Sequence, residues 1–307
     1  MKTKKMEAQK PMMTMKTTIK QCIWVLSALL CVACNGVNRQ QAYAVAKTLV
    51  EAGAENNAGA DNEVNVEASA AQTAKALEMP AARPKSGEVL LYREGYTVSY
   101  NTTTLQPNWV AWHLTPNRLK GNVKRNDYPF ISDDEVPEPR VETADYRQSG
   151  YDRGHMCPAG DNKWSAEAMR QSFLFTNICP QAPNLNRGDW NEMEQACRKW
   201  AKQYNGVYIV CGPIFYKSKR QRTIGQHRIP VPDAFFKVVL RMGKAPRAIG
   251  FIYKNMDGNR PKGDYANTVD EVERITGLDF FPALPDEIER KVEAECNFAD
   301  WDIKDTF

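Results

Sequence analysis

Histidine is scarce in this chain, with three residues among 307. A general base working near neutral pH therefore has only His113, His155 and His227 to draw on. Charge of one sign is also lacking where it would count. The full chain carries a net charge of +4, yet over residues 88–307 lysine plus arginine equals aspartate plus glutamate at 30 each. Net charge alone thus does not announce a nucleic-acid binder. Of eight cysteines, Cys157, Cys179, Cys197, Cys211 and Cys296 fall in that region, and they form no CxxC pair or Cys/His spacing that suggests zinc. Their odd number implies at least one free thiol. Long hydrophobic runs are missing too: the apolar stretch within Cys22–Cys34 is about a dozen residues, too short to span a bilayer comfortably. From Asn35 to Lys85 the only aromatic residue is Tyr43, which leaves too little apolar surface to offset the entropy of ordering.

These absences divide the chain. Lys16 and Lys20 followed by the short apolar run have the form of a secretory signal, so residues 1–34 are expected to direct export from a bacterial cell. The end of the run, Cys31-Val32-Ala33-Cys34-Asn35, resembles a lipoprotein processing site. It implies a lipidated Cys34 and membrane attachment, with plain cleavage and an uncleaved anchor as the alternatives. Residues 35–87 read as a low-complexity tether, although alanine favours short helices at Ala44–Glu51 and Ala68–Met79. Residues 88–307 read as the folded domain.

Within that domain, apolar and β-branched runs predict strands at Val89–Tyr100, Trp109–Leu114, Ser172–Asn177, Gly206–Phe215, Ala234–Met242 and Ala248–Tyr253. Trp190, Met193, Cys197, Ala201 and Tyr204 recur at helical spacing, which predicts a helix over Trp190–Tyr204 with a core-facing stripe. Thr268-Val-Asp-Glu271 has the form of a capping box opening another helix. The pattern is α+β, with a largely antiparallel sheet. Charge is uneven along it: Ala201–Lys262 holds 13 basic and 2 acidic residues, whereas Gly263–Phe307 holds 4 and 13. The basic segment is a candidate footprint for phosphates.

Chemistry concentrates in two blocks. The first, Tyr151–Asp161 (YDRGHMCPAGD), sets His155 in an Asp-Arg-Gly-His turn; Asp152 and Arg153 are expected to build the turn and orient the imidazole. The second, Thr176–Arg198 (TNICPQAPNLNRGDWNEMEQACR), is an Asn-rich loop running into a helix with Glu194 and Arg198 one turn apart. Together they resemble the two signatures of the DNA/RNA non-specific endonucleases, of the Serratia nuclease and endonuclease G type. Weaker similarity extends from about Trp109 to the end of the chain. The resemblance implies the ββα-metal (His-Me finger) fold and a phosphodiester hydrolase acting on DNA and RNA, yielding 5′-phosphate ends.

In that scheme His155 takes a proton from water, and Asn186 binds Mg²⁺, or Mn²⁺ in its place, through its amide oxygen. One protein ligand suits Mg²⁺, which keeps most of its waters. Glu194 orders water around the metal, Arg198 contacts the phosphate, and Arg125 neutralises transition-state charge. Arg153, Asn177 and Gln181 are expected on the substrate side, the last two matching a TPQ-like loop. An ordinary i,i+4 salt bridge is the plain alternative for Glu194 and Arg198. His113 and His227 lack such surroundings and read as structural. A Cys157–His155 nucleophile is disfavoured, since buried cysteine is ordinarily inert. A surface protein that binds nucleic acid with little turnover, or a phosphodiesterase for small substrates, are the competing functions. Some members dimerise, so a homodimer is a further expectation.

Overall fold

Strands that are apolar on both faces need cover on both, and the distribution of helices in this chain follows from that need. The computed structural model describes residues 75–82, 86–216 and 221–301. The expected export signal, Cys34 and most of the tether lie outside the described residues. The strands are β1 (Glu88–Tyr92), β2 (Thr97–Asn101), β3 (Gln106–Leu114), β4 (Asp152–His155), β5 (Ile178–Gln181), β6 (Val207–Ile214), β7 (Thr223–Ile224), β8 (Ile229–Pro230), β9 (Ala234–Arg241), β10 (Arg247–Lys254) and β11 (Ala266–Asn267). Seven of them form one antiparallel sheet in the order β1-β2-β3-β6-β9-β10-β11. The main helices are α1 (Ala166–Ser172), α2 (Asn191–Gln203), α3 (Val269–Thr276) and α4 (Asp286–Ala294).

Alternation along β9 shows the two-sided burial. Phe235 and Val239 join Trp112, Ile209 and Phe251 beneath Trp190, Met193, Cys197 and Trp200 of the α2 segment. Phe236, Val238 and Leu240 face the other way, with Val269 and Val272 of α3, Phe280 and Phe281 of the segment that follows it, and Val292 of α4. The helix expected over Trp190–Tyr204 is thus present, and its stripe is the front core. Thr268 caps α3 by accepting from the Glu271 amide at 3.1 Å, but the Glu271 carboxylate pairs with Arg274 instead of returning to the cap. Only half of the capping box forms.

Three local expectations change. Val89–Tyr100 is a hairpin, not one strand: it reverses over Arg93–Tyr96, where the Arg93 amide donates to the Tyr96 carbonyl at 2.8 Å. The Arg93 guanidinium is buried there against Asp133 at 2.6 Å. Ser172–Asn177 is the end of α1 followed by a 3₁₀ turn, Phe175–Asn177. Its apolar residues serve packing, with Phe175 in a satellite core beside Tyr146 and Ile178. Asp-Arg-Gly-His is a strand rather than a turn: β4 pairs antiparallel with β5, Asp152 opposite Gln181 and His155 opposite Ile178. A pair of short strands followed by α2 is the ββα unit.

The folded region also begins earlier than residue 88. Residues 75–78 are helical, Leu77 is 2 % exposed within the back core, and Ala81 exchanges two backbone hydrogen bonds with Asp279 at 2.7 and 2.8 Å. Leu77, with Met79 partly buried beside it, seats this alanine-rich stretch in the back core that also holds Phe280. Leu77→Ala is expected to cost about 2–4 kcal/mol of stability, read as a lower denaturant midpoint at unchanged slope; an unchanged midpoint would return residues 75–82 to the tether.

Candidate active site

The ββα unit and the loop Gly121–Asn126 enclose an open cleft of about 710 Å³, lined by Arg125, Arg153, His155, Asn186, Glu194 and Arg198. Six of the eight residues singled out by sequence therefore converge. Lys124, Lys163 and Arg187 also line it, so cations dominate the walls and Glu194 is the sole lining carboxylate among the described residues.

His155 ends β4, its backbone carbonyl accepting from Trp190 Nε1 at 3.2 Å. Its ring packs in a triangle with Phe130, 5.2 Å between centroids, and Phe173, 5.1 Å and edge-on, which themselves meet at 5.1 Å. The same two phenylalanines carry cations, the Arg153 guanidinium 4.2 Å from the Phe130 centroid and that of Arg125 5.8 Å from Phe173. Burial lowers the His155 pKa to about 3, helped by the fields of Arg125 and Arg153. The imidazole is neutral at working pH, and Nε2 has no protein hydrogen-bond partner. Phe130 and Phe173 escaped the sequence reading because aromatic residues in apolar surroundings give no chemical signal of their own.

Asp152 does not orient the histidine. Its carboxylate accepts from Asn186 Nδ2 at 2.9 Å and from Arg187 Nε and Nη2 at 2.9 and 2.8 Å. With the amide nitrogen committed to a carboxylate, Asn186 keeps its oxygen free. Asn186 opens a π-helical turn, Asn186–Trp190, whose Gly188 departs from helical geometry before α2 begins.

Arg198 bonds chiefly to Asp161, Nη1 to Oδ1 at 2.9 Å, and only weakly to Glu194 at 3.9 Å. Asp161 is fully buried and also accepts from Trp112 Nε1 at 3.2 Å. Burial pushes its carboxyl up, against the opposing pull of Arg198. The plain i,i+4 pair is thus the lesser contact. Gly160 leaves room for this arginine, since a Cβ there would lie 2.9 Å from Nη1. Burial raises the Glu194 pKa to about 7, with Lys237 and Arg198 opposing.

Asn177 and Gln181 are fully buried and do not line the cleft. Asn177 bridges backbone, donating to the carbonyls of Cys157 and Ser172 and accepting from the Cys157 amide. Gln181 fills the space beside Gly154, where a Cβ would lie 2.4 Å from its Oε1. Their expected substrate role gives way to holding β4 and its following loop. Among the described residues, the basic segment 201–262 contributes nothing to the lining: Lys237 is buried, and Arg241 packs over Tyr204 and Trp301. His113 stacks on Tyr208 at 4.0 Å and His227 Nδ1 lies 2.9 Å from Asp145, so both are structural. Burial drives the Cys157 thiol pKa upward, which removes a thiolate nucleophile.

The family model for the DNA/RNA non-specific endonucleases matches residues 74–287. The chain belongs to the DNA/RNA non-specific endonuclease family. Mitochondrial nuclease EXOG of Danio rerio is 35% identical over 216 residues, covering 66% of this chain and 63% of that protein. Mitochondrial endonuclease G of Homo sapiens is 34% identical over 205 residues, 62% of this chain and 69% of its own length. A chain of the solved EndoG/EndoGI complex superimposes with a TM-score of 0.62 at 28% identity, covering 66% of this chain and 88% of that one. The ββα-metal fold expected from the two blocks is therefore the fold of this domain.

Members of this endonuclease family are metal-dependent, and the residues present fit a divalent cation. Asn186 offers a neutral amide oxygen aligned by Asp152, and Glu194 stands by as an anion in an otherwise cationic cleft. Partners that orient a ligand from behind typically contribute roughly 10–100-fold to metal affinity. Asp152→Ala is accordingly expected to raise the divalent-cation concentration for half-maximal cleavage by roughly that factor, measured by cation titration of plasmid nicking; an unaltered requirement would dissociate Asp152 from the metal site.

Proposed function

We propose that this protein hydrolyses phosphodiester bonds of DNA and RNA at internal positions, with Mg²⁺, or Mn²⁺ in its place, as cofactor and water as nucleophile. The observation that carries the reading is a neutral His155 lining the same cation-rich cleft as Asn186, Glu194 and Arg198. His155 accepts a proton from water aligned behind phosphorus. A docked phosphate brings negative charge to Arg125 and Arg153, which offsets the fields that depress the histidine and raises its proton affinity at the point of attack. Arg198, held by Asp161, meets the non-bridging oxygens, and Arg125 counters charge that builds in the transition state. Asn186 would hold the cation, which supplies Lewis acidity at the phosphate and leaving oxygen. Glu194 orders water between them. Cleavage leaves a 5′-phosphate and a 3′-hydroxyl.

None of these groups addresses a base edge, which supports weak sequence preference. The open form of the cleft favours a polymer over a small phosphodiester, and the assembled base and ligand favour turnover over simple capture. Export by residues 1–34 and lipid attachment at Cys34 rest on the sequence pattern, and a homodimer on the family resemblance.

Two outcomes test the reading. His155→Ala is expected to lower turnover by several orders of magnitude with folding and most DNA affinity retained, assayed on supercoiled plasmid and a structured RNA with Mg²⁺ or EDTA; cleavage at the parent rate would remove the mechanism. Because the neutral imidazole is the active form and its pKa is lowered, the acid limb of kcat/KM that belongs to His155 is expected well below pH 6.5, apart from a limb nearer neutrality set by Glu194. Arg125→Ala and Arg153→Ala should each move the His155 limb upward, and a limb that stays put in both variants would separate the arginines from the base.

A further inference from the structure

The face of the sheet away from the cleft carries a second group of side chains that the nuclease chemistry does not use. Asp270 and Glu273 project from α3 and Glu293 from α4, and one oxygen of each lies within 4.8 Å of the others. Oxygens sharing one calcium ion, each at about 2.4 Å from it, lie no further apart than about twice that bond, so all three can reach a single cation. Glu293 is only 7 % exposed, and its Oε1 has no hydrogen-bond partner among the described residues. A carboxylate taken out of water without a partner is costly unless a cation or proton meets it.

Its electrostatic neighbours do not provide one. Burial acts on Glu293 first, pushing its carboxyl up to about 9, and the charged groups that act next are further carboxylates, those of Glu273, Glu289, Asp270 and Asp279. Arg274, adjacent to Glu273 in the chain, is engaged by Glu271 at 2.6 Å. Glu273 itself is fixed in place, its Oε1 accepting from the Phe280 amide at 2.7 Å. Three carboxylates from two helices, all hard oxygen donors, suit a cation of high coordination number and tolerant geometry. Magnesium, with its strict octahedron and retained waters, fits less well.

We propose that Asp270, Glu273 and Glu293 form a calcium-class divalent-cation site that ties α3 to α4 on the face opposite the catalytic cleft. The cation acts on stability rather than chemistry: it clamps the helices whose Val269, Val272 and Val292 cover the back of the sheet.

The test is thermal melting of the full chain after EDTA treatment, with CaCl₂ added back, in an Asn186→Ala background that weakens the cleft as a competing site. Calcium is expected to raise the melting temperature by roughly 5 °C, and Glu293→Gln added to that background to abolish most of the rise. Asp270→Asn, at an exposed position, gives the same reading if the glutamine variant folds poorly. In the otherwise unmodified chain, Glu293→Gln is expected to leave Mg²⁺-dependent plasmid cleavage unchanged. A calcium response that is absent, or that survives both substitutions, overturns the site. A melting temperature indifferent to calcium but raised by acid alone assigns the cluster to a shared proton and overturns it equally. Because the readout is melting, failure here leaves the nuclease reading standing, and the reverse also holds.

Discussion

A lysine ammonium buried under the cleft sets the terms for everything above it. Lys237 is 1 % exposed on β9, its Nζ 4.2 Å from the Trp190 ring and 5.3 Å from that of Trp112. Its field reaches Glu194 and Asp161, and Asp161 holds Arg198 and Trp112. Charges removed from water tolerate one another only as a set, and losing one partner typically costs about 3–5 kcal/mol because the rest are left uncompensated. The central sheet, α2 and the turn after Pro158 are therefore fixed mutually, and Glu194 and Arg198 of the cleft inherit that fixity.

A second set of contacts governs the base. Phe130 and Phe173 pack together against His155, and the same two rings take Arg153 and Arg125. The ring quadrupole attracts these cations and so parks positive charge beside an imidazole that the same aromatic walls keep dry. Preorganised positive charge and a neutral base are normally hard to combine in one small volume; here the aromatic rings act as spacers.

The parts of this site legible in the sequence were those whose chemistry is carried by neighbours in the chain. His155 sits inside Asp-Arg-Gly-His, and Asn186, Glu194 and Arg198 fall within thirteen residues along one loop and helix. Apolar and β-branched runs placed β3, β6, β9 and β10 for the same reason, since such a run is a local property. What stayed hidden depends on distant partners. Asp161 stood at the end of the first block without a role because its meaning comes from Arg198, 37 residues on. Asn177 and Gln181 have polar side chains typical of a binding loop, yet they are spent on backbone and on the space beside Gly154. The basic run beyond residue 200 misled because net charge along a segment does not say which way each side chain points.

The cysteines carry a consequence of a different kind. Cys157, Cys179, Cys197 and Cys211 are all buried and unpaired, and Cys296 alone is exposed. Oxidants attack thiolates, and burial pushes all four interior thiols away from that form. The described domain thus owes none of its cohesion to a disulfide, and its interior sulfur becomes reactive only when the front core opens. Oxidative damage to these four cysteines would track how often the core breathes, whereas at the exposed Cys296 it would follow the oxidant around it.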